Sequence, residues 1–182
     1  MRKYILALSI SALALALGCT TENPKMESME DTPKAAEETQ SYDDTIPKVT
    51  GIGGIFFFSD NPTETKDWYA KNLGLNVNEW GSSFEFRNAH RPEEINYLQW
   101  SPFKTGNEYF APSTKEFMIN YRVQNIEGLV KKLQLNGVTV LDTIESYEYG
   151  KFVHIMDAEG NKIELWEPVD KVFTEMGGET TK

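Results

Sequence analysis

The sequence holds one cysteine, Cys19, and two histidines, His90 and His154, in 182 residues. A single thiol makes no internal disulfide, so the fold cannot rely on cross-links, and a thiolate metal cluster is excluded. Bases are scarce as well: 18 Lys and Arg stand against 28 Asp and Glu, a net charge of −10. With no Lys/Arg cluster beyond the first three residues, the chain lacks the electrostatic footprint for phosphate backbones, and nucleic acid is not an expected partner. Long apolar runs are absent too. The longest, Tyr4 to Leu17, falls short of the ~20 residues that cross a ~30 Å hydrocarbon core. What the chain does contain is 40% hydrophobic and 12% aromatic residues, enough to bury a core. Its length fits one domain with appendages.

Arg2 and Lys3, the apolar run, then Gly18 and Cys19 follow the order of an export signal. The stretch LALGC resembles the lipobox of bacterial lipoproteins, in which the Cys becomes the lipidated first residue of the mature chain. Ala16 stands where that pattern prefers Leu or Val, and Leu15 lies one residue further back. The resemblance implies a signal peptide over 1–19, lipidation of Cys19 and a membrane partner through it. Thr20 rather than Asp after the Cys favours the outer membrane over the inner one, by resemblance to enteric lipoproteins. The alternative is ordinary secretion with Cys19 incidental. Residues 20–49 are rich in Glu, Thr, Ser and Pro and carry no apolar stripe, so they read as a disordered acidic tether. About 30 such residues have an end-to-end distance near 30 Å.

Residues 50–169 carry all four Trp and form the expected domain, followed by a flexible tail over 170–182. The pattern reads as a strand over GIGGIFFFS, a break at Asp60-Asn61-Pro62, and a helix over 63–72 ended by Leu73-Gly74. Strands near 75–80, 82–87 and 95–100 follow. The second half repeats the order, with a strand over 116–123, a helix over 126–135 ended by Asn136-Gly137, and strands near 138–142, 151–157 and 162–166. Asn61 and Asn125 open the two helices, and the halves end LQWSP and ELWEP, which points to a fused duplication.

Three stretches, WYAKNLGL (68–75), MINYRVQNIEGLVKKLQLNGV (118–138) and DAEGNKIELWEP (157–168), resemble the vicinal oxygen chelate superfamily of glyoxalase I, bleomycin-resistance proteins and extradiol dioxygenases. The resemblance implies an α+β fold in which two βαβββ modules form a cup-shaped mixed sheet with helices outside. In metal-dependent members four side chains, one per strand, hold a divalent cation in the cup. Those positions fall on Gly54, Gln99, Met118 and Glu164, with the internal repeat offering Leu98 in place of Gln99. Only Glu164 is a strong ligand, and one carboxylate does not hold a catalytic metal. Metal-dependent glyoxalase or dioxygenase chemistry is therefore not expected and no cofactor is assigned. A divalent metal with ligands shared across a homodimer stays open, since members of the superfamily often pair their modules that way.

Strand alternation puts Phe56 and Phe58 on the cup side and Ile55 and Phe57 toward the helices. It likewise puts Met118, Asn120 and Arg122 in the cup, and Glu164 with Trp166 on one face. Together with Gln99, and with Trp100 and Tyr149 at the rim, these form the expected ligand-binding set, an apolar floor with a few polar groups. Tyr109, Phe110 and Tyr147 are further rim aromatics. The alternative is that the aromatics fill the cup as core. Glu164 is expected either to pair with Arg122 or Lys162, or to act as a base of raised pKa together with His154. His90 receives no role. Three functions follow: binding of a small organic molecule without the metal, lyase, isomerase or glyoxalase-type catalysis by Glu164 with His154 or a relocated metal, and a purely structural envelope module.

Overall fold

The computed structural model of the chain describes residues 43–182. The export-type segment with Cys19, and the acidic stretch as far as residue 42, lie outside the described residues. Lys48–Ser59 form β1, in which β-branched and aromatic residues outweigh three glycines, so that the strand begins two residues inside the stretch read as tether. Pro62–Leu73 form α1. Pro62 supplies the preset φ at its start, Asn61 Oδ1 accepts from the Glu64 N–H at 3.3 Å, and Gly74 ends it in the left-handed conformation. Ser82–Arg87 and Ile95–Lys104 form β2 and β3, and Glu108–Phe110 a short 3-10 turn.

The second module repeats the plan. Phe117–Gln124 form β4 and Ile126–Leu135 form α2, capped by Asn125, whose Oδ1 accepts from the Gly128 N–H at 3.0 Å. Thr139–Val140, Glu145–Tyr147, Gly150–Met156 and Lys162–Pro168 form β5, β6, β7 and β8. The strands join in one sheet of order β2-β3-β1-β4-β8-β7-β5, with β6 on β7. Within the modules β1 runs parallel to β3 and β4 parallel to β8, and the antiparallel β1–β4 pair fuses the halves. This is the expected α+β architecture of two modules in a mixed sheet. Register shifts at Thr50 and Gly53 bulge β1 where the halves meet.

The helix side of the second module carries the larger core: Val123, Ile126, Leu129, Val153, Ile155 and Leu165. Ile126 and Val153 are at most 1% exposed, and full burial of such side chains is worth ~1.5–3 kcal/mol each. In the first module Tyr69 of α1 packs on Trp100, with ring centroids 4.6 Å apart, and Phe57 lies 5.3 Å from the same indole. Trp100 thus faces the helix and not the cup, because it pairs in register with Ile55, whose side chain points the same way. This corrects its assignment to the ligand-binding set.

Three segments depart from expectation, the first being 145–147, which pairs with β7 as β6 where no strand was expected. Residues 75–80 form no strand. Asn78 closes a turn there by accepting from the Trp80 and Gly81 N–H groups, and the edge of β2 is taken by Thr181, whose N–H donates to Ser83 O at 2.8 Å. The residues expected as a flexible tail supply that contact. Asp170–Met176 form α3, and Thr180 and Thr181 then bond to Glu85, Ser82 and Asn76. Among the described residues no helix is long and apolar enough to cross a membrane.

Candidate functional site: the cup face

Register alone assembles a polar row across six strands. Ser83 on β2 stands opposite Gln99 on β3, then follow Gly54 on β1, Asn120 on β4, Glu164 on β8 and His154 on β7. Asn120 donates to Glu164 Oε1 at 2.7 Å, Tyr109 Oη donates to Oε2, and His154 Nε2 lies 3.2 Å from Oε2 as an ion pair. Behind the ring, His154 Nδ1 meets Asp142 Oδ2 at 2.6 Å. The result is a chain Asp142, His154, Glu164, Tyr109, anchored by Asn120.

Charge in this chain follows from its contacts. Burial pushes Glu164 upward, but the bonds from His154, Tyr109 and Asn120 favour the anion and hold it below the usual carboxylate value. Burial pulls His154 down, and the two carboxylates that flank it more than compensate, so its pKa is raised. Burial first, and then Glu164, push the Tyr109 phenol far up, which makes it a donor. Glu164 thus faces an imidazole whose surroundings favour its protonated form. Its partner is neither Arg122 nor Lys162: Arg122 pairs with Asp170, and Lys162 Nζ donates to Tyr109 O at 2.7 Å. The raised pKa expected of a base is replaced by a lowered one.

On one side of the polar row the floor is apolar. Phe56, Met118 and Phe110 form a buried cluster, joined by Phe58 and Phe103. Met118 and Phe110 are at most 1% exposed, so these groups are packed core. On the other side Arg122 lies under α3, with its guanidinium carbon 5.1 Å from the Trp166 ring, and Phe152 stacks on Trp166 at 5.8 Å. Tyr149 accepts the Trp166 indole N–H on its carbonyl at 3.1 Å and stacks with Tyr147. Beside α3 opens a cavity of about 600 Å³, lined among others by Thr50, Arg122, Gln124, Asp170, Lys171 and Thr174.

The superfamily's metal does not fit these residues. A Cβ at Gly54 would lie 2.7 Å from the Phe56 ring, so the space of a first ligand is filled by a phenyl group. Register places Asn120, not Met118, opposite both Gly54 and Glu164, while Met118 is sealed among phenyl rings. Gln99 is committed to Ser83 at 2.7 Å and Ser101 at 3.0 Å. Glu164 has both oxygens engaged. Among the described residues no group of three or more His, Cys, Asp or Glu is placed to hold a metal ion.

The sequence expectations named Glu164, His154, Asn120, Gln99, Arg122 and Trp166, and the structure brings all six onto one face. They missed Asp142, which reaches His154 from a separate strand end, and Asp170, which lies in the stretch read as tail. The only sequence signal for the latter was VDKVF, where an acid precedes two apolar residues in a polar segment.

No protein-family model and no curated protein sequence matches the chain. Solved structures do. Methylmalonyl-CoA epimerase from Streptomyces coelicolor, in complex with 2-nitronate-propionyl-CoA, is similar at 13% identity and TM-score 0.51, over 67% of this chain and 99% of that one. A methylmalonyl-CoA epimerase in complex with methylmalonyl-CoA and NH4+ is similar at 15% identity and TM-score 0.50, over 67% and 96%. At these identities the likeness concerns the fold: the described domain has the glyoxalase-like fold of the vicinal oxygen chelate superfamily that its sequence resembles.

Proposed function

We propose that this protein binds a small organic molecule at the α3 end of the cup, without the superfamily's divalent metal, and does so at the cell envelope through a lipidated Cys19. The observation that carries the reading is the cavity of about 600 Å³ with Arg122, only 4% exposed, in its wall. Its volume is in the range of small-molecule sites, and a buried guanidinium beside aromatic rings is a specific anchor for a carboxylate. The cavity also weighs against a purely structural module with its cup packed shut. The acidic balance of the chain, and of a cavity wall that also carries Asp44, Glu93, Glu94 and Glu167, disfavours strongly anionic ligands, so that Arg122 is the anchor for one carboxylate at most.

The test is a thermal-shift screen of the purified full chain against small mono-carboxylates and neutral analogues, before and after chelation, alongside elemental analysis. Binding that survives chelation is the expected result. One tightly held equivalent of divalent metal, with binding lost on chelation, would overturn the reading.

A second reading, metal-free acid-base catalysis, is favoured by the Asp142–His154–Glu164–Tyr109 chain, because a carboxylate-oriented imidazole beside a second carboxylate is the arrangement proton transfer uses. Against it, each oxygen of Glu164 already accepts a hydrogen bond, Oε1 from Asn120 and Oε2 from Tyr109. Dicarbonyl and diol substrates turned over by the native chain, with at least about hundredfold loss in Glu164→Gln, are what this reading requires. Unchanged turnover in that variant removes it.

A further inference from the structure

We propose that the α3 end of the cup is a site for a small aromatic carboxylate, and that Asp170 and Phe173 of α3 fill it in the free chain as a built-in stand-in for that ligand. The inference rests on the small-molecule reading above and names its ligand class.

The receiving groups belong to the sheet, apart from Tyr149 in the turn between β6 and β7. Arg122 is held by a bond from Nη1 to Tyr97 O at 3.1 Å and lies between the Trp166 and Phe86 rings, at 5.1 and 5.7 Å. Its Nη2 points at Asp170 Oδ2, which pairs a buried guanidinium with a half-buried carboxylate. Three residues further along α3, Phe173 enters an aromatic box. Its ring lies 5.4 Å from Tyr97, 5.8 Å from Trp166 in an edge-to-face arrangement, and 6.1 Å from Tyr149. A carboxylate on a buried arginine, with a phenyl group one helical turn away in a box of rings, outlines a small acid with an aromatic end.

The occupant is weakly built, unlike the site. With seven residues α3 is well below the ~12–15 that an isolated helix needs. It has no side-chain N-cap and no fully buried residue. Asp170 gives its Oδ2 to both Arg122 and Asn96, while Oδ1 is buried without a partner. A free carboxylate released from the helix geometry can satisfy both oxygens. α3 itself is held to the sheet by Asp170 and by Thr174 Oγ1 on Tyr97 Oη at 3.1 Å; once those few contacts exchange, β8 on one side and Thr181 on Ser83 on the other keep the segment attached, and the adjoining cavity gives the ligand its way in.

The experiment uses the full chain and the probe pair 3-phenylpropionate and 3-phenylpropanamide, titrated calorimetrically into the native protein and into the double substitution Asp170→Asn, Phe173→Ala. The acid is expected to bind the variant about tenfold more tightly than the native chain, because the receptive state is no longer rare, and the amide is expected not to bind. Hydrogen exchange of the native chain reads the same event where the variant does not fold: millimolar acid should speed exchange of the amides of 172–176 and leave β4 and β8 unchanged. Equal binding of acid and amide, or unaltered exchange of α3 at that concentration, overturns the proposal. If those results come while other small molecules still stabilise the native chain, the aromatic-acid inference falls and the wider binding reading stands. If nothing binds either protein, both fall.

Discussion

At Glu164 two donors, Asn120 and Tyr109, and the His154 ring converge on one carboxylate, and the side chain is 4% exposed. The pairing with His154 makes stability depend on pH in a defined way. Because the folded state raises His154 above its ordinary 6.5, the pair's contribution is fully present below that value and is lost as pH rises through the higher folded value. The folded state depresses Glu164, so its contribution is present above 4.5 and is lost as pH falls through the lower folded value. Thermal midpoints of the native chain are expected to decline on alkaline titration beyond 6.5, and His154→Gln to lack that limb. An identical alkaline decline in both proteins would count against the ion pair. At the same scale Gly54 shows why a ligand position cannot simply be restored, since Phe56, 8% exposed, has folded over the place where a side chain would begin.

Among the elements, the two long helices were legible because their ends carry local chemistry: Pro62 and Gly74 for α1, Asn125 and the Asn136-Gly137 pair for α2. Cup-facing positions on β1, β4 and β8 were legible from alternation, since a period of two holds along each strand between bulges. What sequence could not supply is the pairing between elements. The strand expected at 75–80 fails because the β2 edge is bonded by Thr181, about a hundred residues away, and α3 was hidden because Val169 at its start has no capping side chain. Trp100 was misplaced because its neighbour Gln99, not Trp100 itself, shares the register of Gly54. Asn125 offers a direct check of the capping chemistry. It combines φ 51° with a side chain that caps Gly128. Asn125→Ala loses the bond and keeps the unfavourable backbone, and should cost about 2 kcal/mol in urea unfolding. Asn125→Gly relieves the backbone and should cost clearly less. Equal losses would mean that backbone conformation plays no part.

Over the whole molecule, the two-module plan decides which side chains can meet. Each module brings one parallel strand pair to the centre, and the β1–β4 junction sets the positions from both halves in a single row. In such a row the superfamily's metal chemistry needs strong donors from both modules. Here the first module contributes Gly54 and Gln99, the second Asn120, Glu164 and His154, so charge is concentrated in one half. The proposed anchoring belongs to this scale as well. In cells, Cys19→Ser is expected to move the protein from the membrane fraction to the soluble one, and retention in the membrane fraction would contradict lipidation.

The contact between Thr181 and β2 has a consequence beyond seating α3. β2 is the last strand on its side of the sheet, and an outer strand with free amides and carbonyls, bearing Phe84 and Phe86, is a template on which foreign chains can polymerise. Thr181 occupies the Ser83 carbonyl and lays a short parallel bridge beside Phe84. Thr180 and Thr181 therefore cover part of that edge, and a chain cut after Gly178 is expected to scatter more light than the full chain under native conditions.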